Sequence, residues 1–148
     1  MTKAAIANLR RIERECAAGQ LRLINRAITG LYDEALRPLE LKVGQMSLLV
    51  LAANRDVLRP ADICCGLQMD PSTLSRNVER MRAKGWLEVV PGGDARARPF
   101  RLTPKGKRLL QRAVPVWEKA QRDAHALLGD RGASSLRRIA DRICSQTR

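Results

Sequence analysis

The sequence predicts a mainly α-helical fold with one small β-hairpin. Three observations carry that expectation. Apolar residues recur at helical spacing along most of the 148 residues. The period shortens to two over a brief stretch around Glu88. Proline, glycine or small polar residues stand where each pattern stops.

From Ile6 to Leu36 the apolar residues fall at intervals of three and four. Ile6, Leu9, Ile12 and Cys16 form one set; Leu23, Ile24, Ala27, Ile28, Leu31 and Ala35 form a second. Gly19 is the expected point of a bend or split, since glycine costs about 1 kcal/mol against alanine inside a helix. Pro38 ends the run, because the residue before a proline avoids the helical region. A second helix is expected from about Gln45 to Ala53. Pro60 opens a third, which stops near Leu67; a proline there lacks only an N–H that has no helical partner anyway. Asp70-Pro71 opens a fourth as N-cap and first residue, and Gly85 closes it.

The stretch Trp86-Leu87-Glu88-Val89-Val90 then reads as a short strand, residues 91–97 as a turn-rich charged connection, and Arg98 to Leu102 as a returning strand that Pro99 confines to an edge. Thr103-Pro104 opens a helix running to about Leu128, with a kink expected at Pro115. Glycines 129 and 132 break it, and Ser134 or Ser135 starts a last helix with Leu136, Ile139, Ala140 and Ile143 on one face. Helix, helix, turn, helix and then a two-stranded hairpin with a basic tip is the order of a winged helix-turn-helix.

Charge narrows the function. The chain carries 28 Lys/Arg against 15 Asp/Glu, a formal net charge of +13, which points to a polyanionic partner. Residues 71–108 alone hold ten Lys/Arg against three Asp/Glu. Tyr32, Trp86, Phe100 and Trp117 are the whole aromatic complement, too few for the stacking platforms that grip single strands. Duplex DNA is therefore the expected partner. No apolar run approaches a membrane span, and the N-terminus has no apolar signal core, so a cytoplasmic location is expected. One histidine, no CxxC pair and no glycine loop for phosphates leave no basis for an enzyme, a metal site or a cofactor.

The fourth helix explains itself as a DNA reader. Leu74, Val78 and Met81 share the inward face, while Thr73, Arg76, Asn77, Arg80 and Lys84 share roughly the opposite one. Arginine pairs with guanine, asparagine with adenine, and Ser72, Thr73 or Ser75 reaches a base or phosphate. In the hairpin tip, Arg96 and Arg98 suit the negative potential of the minor groove. Asp94 is read either as holding Arg96 extended by a charge-assisted hydrogen bond or as a turn-forming residue.

At these residues the sequence resembles the MarR family of transcriptional regulators. The stretch from Leu36 to Ala53 is similar to the family's approach to its second helix, Arg59 to Glu88 to its helix-turn-helix, and Asp94 to Leu110 to its wing, with Asp94-x-Arg96 and Leu102-Thr103-x-x-Gly106 at the family's spacing. The resemblance implies a homodimer with interleaved terminal helices and a palindromic operator. It implies repression, relieved by a small ligand or by cysteine oxidation. On that reading residues 1–38 form an N-terminal helical dimerisation segment, 39–104 the winged DNA-binding domain and 105–148 a C-terminal dimerisation segment. The stripe Leu109, Leu110, Ala113, Val116, Trp117, Ala120, Leu127 and Leu128 is expected to meet the partner; packing against the first helix is the alternative. A rival function is a sequence-independent architectural protein that coats DNA by charge.

Four cysteines are candidate effector or redox positions. Cys64 and Cys65 lie in the helix before the DNA reader, one expected inward and one outward, and their thiols suit a soft metal or metalloid. Cys16 lies in the first helix, and Cys144 near the C-terminus. The blander reading of the adjacent pair is one core cysteine beside an incidental neighbour.

Overall fold

The structure is a computed structural model of the chain; it describes residues 1–67, 69–91 and 98–146, with the side chains of 64–67 excepted. In order, the elements are α1 (Lys3–Glu15), α2 (Ala17–Leu36), a 3-10 turn (Arg37–Leu39), α3 (Val43–Ala53), α4 (Pro60–Leu67), α5 (Pro71–Ala83), β1 (Leu87–Val89), β2 (Phe100–Leu102) and α6 (Pro104–Gln146).

The first long helix is split at Cys16 rather than at Gly19. Cys16 is extended (φ −64°, ψ 108°), closing α1 and opening α2. Its N–H donates to the Ile12 carbonyl, and its own carbonyl accepts from the Gln20 N–H, both at 3.0 Å. The Gln20 side-chain amide donates to the Arg14 carbonyl at 2.8 Å. That bond satisfies one of the carbonyls a helix end leaves open, so the break needs no glycine.

The main core lies under the helix-turn-helix. Leu36, Leu41, Leu48, Leu49, Leu58, Ile63, Leu74, Met81 and Phe100 are fully buried, each worth about 1.5–3 kcal/mol of apolar burial. Two clips hold the corner before α3. Asp33 Oδ1 accepts the Val43 N–H at 2.8 Å, and Gln45 Oε1 accepts the Lys42 N–H at 3.1 Å.

A second cluster forms where α2 crosses α6. Tyr32, Ala120 and Ala124 are buried there, with Ile28, Leu31 and Ala35 packed around them. Tyr32 Oη donates to Gln121 Oε1, and burial pushes the Tyr32 phenol above its ordinary range. This corrects one expectation about the α6 stripe. Leu109, Ala113 and Ala120 are covered within the chain, where α6 packs on α2 and α3. Helical spacing marks an apolar face without saying what covers it. Trp117 and Leu127 remain exposed.

The hairpin pairs Leu87 with Leu102, Glu88 with Arg101 and Val89 with Phe100, antiparallel. Arg101 Nε donates across it to Glu88 Oε1 at 2.6 Å. β2 is not an edge at Phe100, contrary to the sequence expectation. Phe100 also exchanges both backbone hydrogen bonds with Leu58 at 2.9 Å. The proline stands one residue before the position whose N–H is needed, so it leaves that pairing intact.

Helical geometry continues through Pro115 and departs only at Gly129 (φ 67°, ψ 161°). Pro115 is exposed, so water can take the carbonyl its missing N–H leaves free. The last helical segment resumes directly after Gly129, a few residues earlier than Ser134.

Candidate nucleic-acid interface

The N-terminus of α5 is built on Asp70. Its Oδ1 accepts the Ser72 N–H at 2.9 Å, the Thr73 N–H at 3.1 Å and the Ser72 hydroxyl at 2.5 Å. These bonds, led by the Ser72 hydroxyl and then the Thr73 N–H, hold the Asp70 carboxyl below its ordinary range. A lowered folded-state value means that the cap stabilises above the unfolded carboxylate range and is lost as pH falls through the folded value. Asp70→Ala is therefore expected to lower the melting temperature at pH 7. The difference from wild type should shrink only as pH falls below the unfolded aspartate value of about 3.9 toward the lower folded one, where the wild-type carboxyl protonates. Asp70→Asn keeps an acceptor and should fall between the two. A difference that stays constant down to pH 2 would remove the charge from this account.

Downstream, one side of α5 is buried and the other open. Leu74 and Met81 sit in the core, with Val78 packed against it. Ser72, Thr73, Ser75, Arg76 and Arg80 are exposed, and Asn77 is half-buried. Arg76 lies back along the helix: Nε donates to the Ser72 carbonyl and Nη2 to the Ser72 hydroxyl, both at 3.2 Å. Asp70, Ser72 and Arg76 thus form one chain of contacts at the tip of the helix. Arg82 pairs with Glu79 at 2.8 Å on the flank. Arg80 makes no ion pair among the described residues.

Lys84 departs from the face assigned to it by spacing. It is the C-cap of α5. Its Nζ lies 3.2 Å from both the carbonyl and Oε2 of Glu40 and 4.7 Å over the Trp86 ring. An acid 44 residues away in the chain leaves no trace in the local pattern.

The far end of α5 is fixed by backbone. Gly85 takes φ 71°; its N–H donates to Arg82 and the Trp86 N–H to Met81, at 2.8 and 2.9 Å, the Schellman closure that favours glycine. Thr103 then ties this closure to α6. Its hydroxyl donates to the Gly85 carbonyl at 2.7 Å and accepts the Gly106 N–H at 3.0 Å, while its own N–H donates to Trp86. The approach is close. A Cβ on Gly106 would sit 2.3 Å from the Trp86 carbonyl oxygen and 2.7 Å from Leu102 Cδ1.

Of the wing residues, Arg98 is exposed and lines a cleft of about 150 Å³ with Pro71, Ser75, Val78 and Val89, between α5 and the base of the hairpin. Asp94 and Arg96 lie outside the described residues. So do the thiols of Cys64 and Cys65, whose backbone belongs to α4. Cys16 and Cys144 are exposed free thiols, and Cys16 occupies the α1–α2 junction instead of a helix interior.

Residues 47–97 match the family model described as the MarR family. A transcriptional regulator of M. tuberculosis, MOSR, solved in complex with DNA, is 33% identical. The alignment covers 87% of this chain and 96% of that one, with a TM-score of 0.75. The chain belongs to the MarR family. The HTH-type transcriptional regulator PecS of Dickeya dadantii is 24% identical over 136 residues, covering 89% of this chain and 82% of its own. A mutant MarR from E. coli complexed with operator DNA shares the fold with a TM-score of 0.77 at 21% identity, covering 90% and 96%. Members of the family are winged-helix transcription regulators, so the chain is a regulator and not an enzyme. No helix among the described residues is long and apolar enough to cross a membrane.

Proposed function

We propose that this MarR-family chain acts in the cytoplasm as a homodimer on a palindromic operator in duplex DNA. It represses, and a small ligand or thiol modification releases it. The observation that carries the reading is α5: a helix with Leu74 and Met81 sealed in the core and Ser72, Thr73, Ser75, Arg76 and Arg80 open along its other side. With Asn77, these side chains fit the donor and acceptor code of the major groove. Arg96 and Arg98 of the wing are assigned to the minor groove, with Asp94 holding Arg96. The relatives solved with DNA support the choice of partner.

Two copies are proposed because the terminal helices leave apolar surface open. α1 has no buried residue; Leu9 and Ile12 are more than half exposed, and so is Leu127 at the end of the first part of α6. Residues 1–38 and 105–148 would supply this interface, and 39–104 the reading domain. For release, the candidates are the thiols of Cys16, Cys64, Cys65 and Cys144, with an oxidant or a metalloid as trigger, or a small molecule.

The test is competition. A duplex selected from randomised DNA by the wild-type chain should stay bound at physiological salt under a large excess of random DNA, with two protomers per duplex. Equal displacement by any sequence would favour the charge-coating architectural alternative. One protomer per duplex would overturn the dimer.

A further inference from the structure

We propose that Lys84 is a positioning residue: it fixes the pose of the recognition helix against the corner between α2 and α3 and does not touch DNA. The proposal rests on α5 being the helix that reads DNA. Lys84 stands at the C-cap of α5, and its ammonium is held from two sides. Glu40 offers both a carbonyl and a carboxylate oxygen at 3.2 Å, and the Trp86 ring lies 4.7 Å below. Both partners are fixed at the backbone, while the Glu40 carboxylate itself is four-fifths exposed. Trp86 is buried and belongs to the Schellman closure. Glu40 is a left-handed residue (φ 51°, ψ 31°) that ends the 3-10 turn, its N–H donating to Arg37 at 2.9 Å.

Charge favours the pair. Lys84 shares its cleft with Lys105, Arg108 and Arg112, and Glu40 is the one carboxylate among the described lining residues. Without it four cations face one another. An exposed ion pair adds little to stability, so the effect belongs to geometry. α5 is about 20 Å long at 1.5 Å per residue, so a tilt of about 3° at Lys84 moves Ser72 by about 1 Å. That is enough to take a donor out of hydrogen-bond range of a base edge.

The test uses Lys84→Met, Glu40→Gln and the double variant, with a duplex selected from randomised DNA by the wild type. Each single change should weaken binding to that duplex by about two- to thirty-fold, and the double variant by no more than the worse single. Affinity for random DNA and the salt slope should not move. A salt slope reduced by about one in Lys84→Met, or weakening by that variant with none from Glu40→Gln, overturns the proposal and makes Lys84 a phosphate contact. Amide exchange in the free protein supplies a second reading. Exchange at Arg82 to Lys84 should quicken in both single variants; no change in either overturns the strut. If the wild type selects no preferred duplex, the DNA-reading assignment fails, and the exchange result alone decides whether the restraint exists.

Discussion

Gly106→Ala should destabilise the protein by about 1–3 kcal/mol, the usual cost of overpacking. Alanine is normally the better helix former, and Gly106 lies in the first turn of α6, so propensity alone forecasts a gain. Contact decides the sign. The added methyl would stand 2.3 Å from the Trp86 carbonyl oxygen and 2.7 Å from Leu102 Cδ1. The leucine end can rotate away. The carbonyl cannot, because it accepts the Thr103 N–H at 3.1 Å and sits between the Schellman closure of α5 and the start of β1. Relief therefore requires α6 to slide off the end of α5. Urea unfolding is the measurement: the midpoint should fall with the slope unchanged. A midpoint equal to wild type would mean that the close approach is not part of the folded state.

Arg76→Ala should weaken binding to the selected duplex by about 1–3 kcal/mol and relax the preference at one base position. The guanidinium lies beside Ser72, which Asp70 in turn orients, so its position is set before DNA arrives and less side-chain entropy remains to be lost. Arg76→Lys sharpens the reading. It keeps the charge but loses the two-pronged donor pattern that matches guanine, so it should retain binding to random DNA and still lose discrimination. Equal losses on the selected duplex and on random DNA would assign Arg76 to phosphate and move base reading to Asn77 or Arg80.

The parts of this fold that were legible in the sequence are those governed by near neighbours. Asp70-Pro71, Gly85 and Thr103-Pro104 mark helix ends because a cap needs only residues within about four positions. The inward set Leu74, Val78 and Met81 follows from helical period in the same way. What escaped depends on distant partners or on side-chain substitution for backbone. The break at Cys16 rests on Gln20 capping Arg14, which a glycine-based expectation overlooks. Leu58 joins β2 from a segment with no strand pattern of its own. Lys84 sits at the right spacing for the open face of α5, yet an acid before α3 and a ring after Gly85 draw it aside. The α6 stripe shows the limit of amphipathicity most plainly: Leu109, Ala113 and Ala120 obey the period of a helix meeting a partner, and the partner is largely the same chain.

The break within α6 has a further implication. Gly129 combines φ 67° with ψ 161°, a conformation essentially reserved for glycine, and a side chain placed there would meet nothing within 4 Å. Crowding is therefore not what forbids a substitution; torsional preference is. Replacing this one residue would leave the core under α5 standing yet re-aim everything from Asp130 onward, like a weathervane turned on its spindle. The heading of the C-terminal arm is thus written in a single absent methyl group.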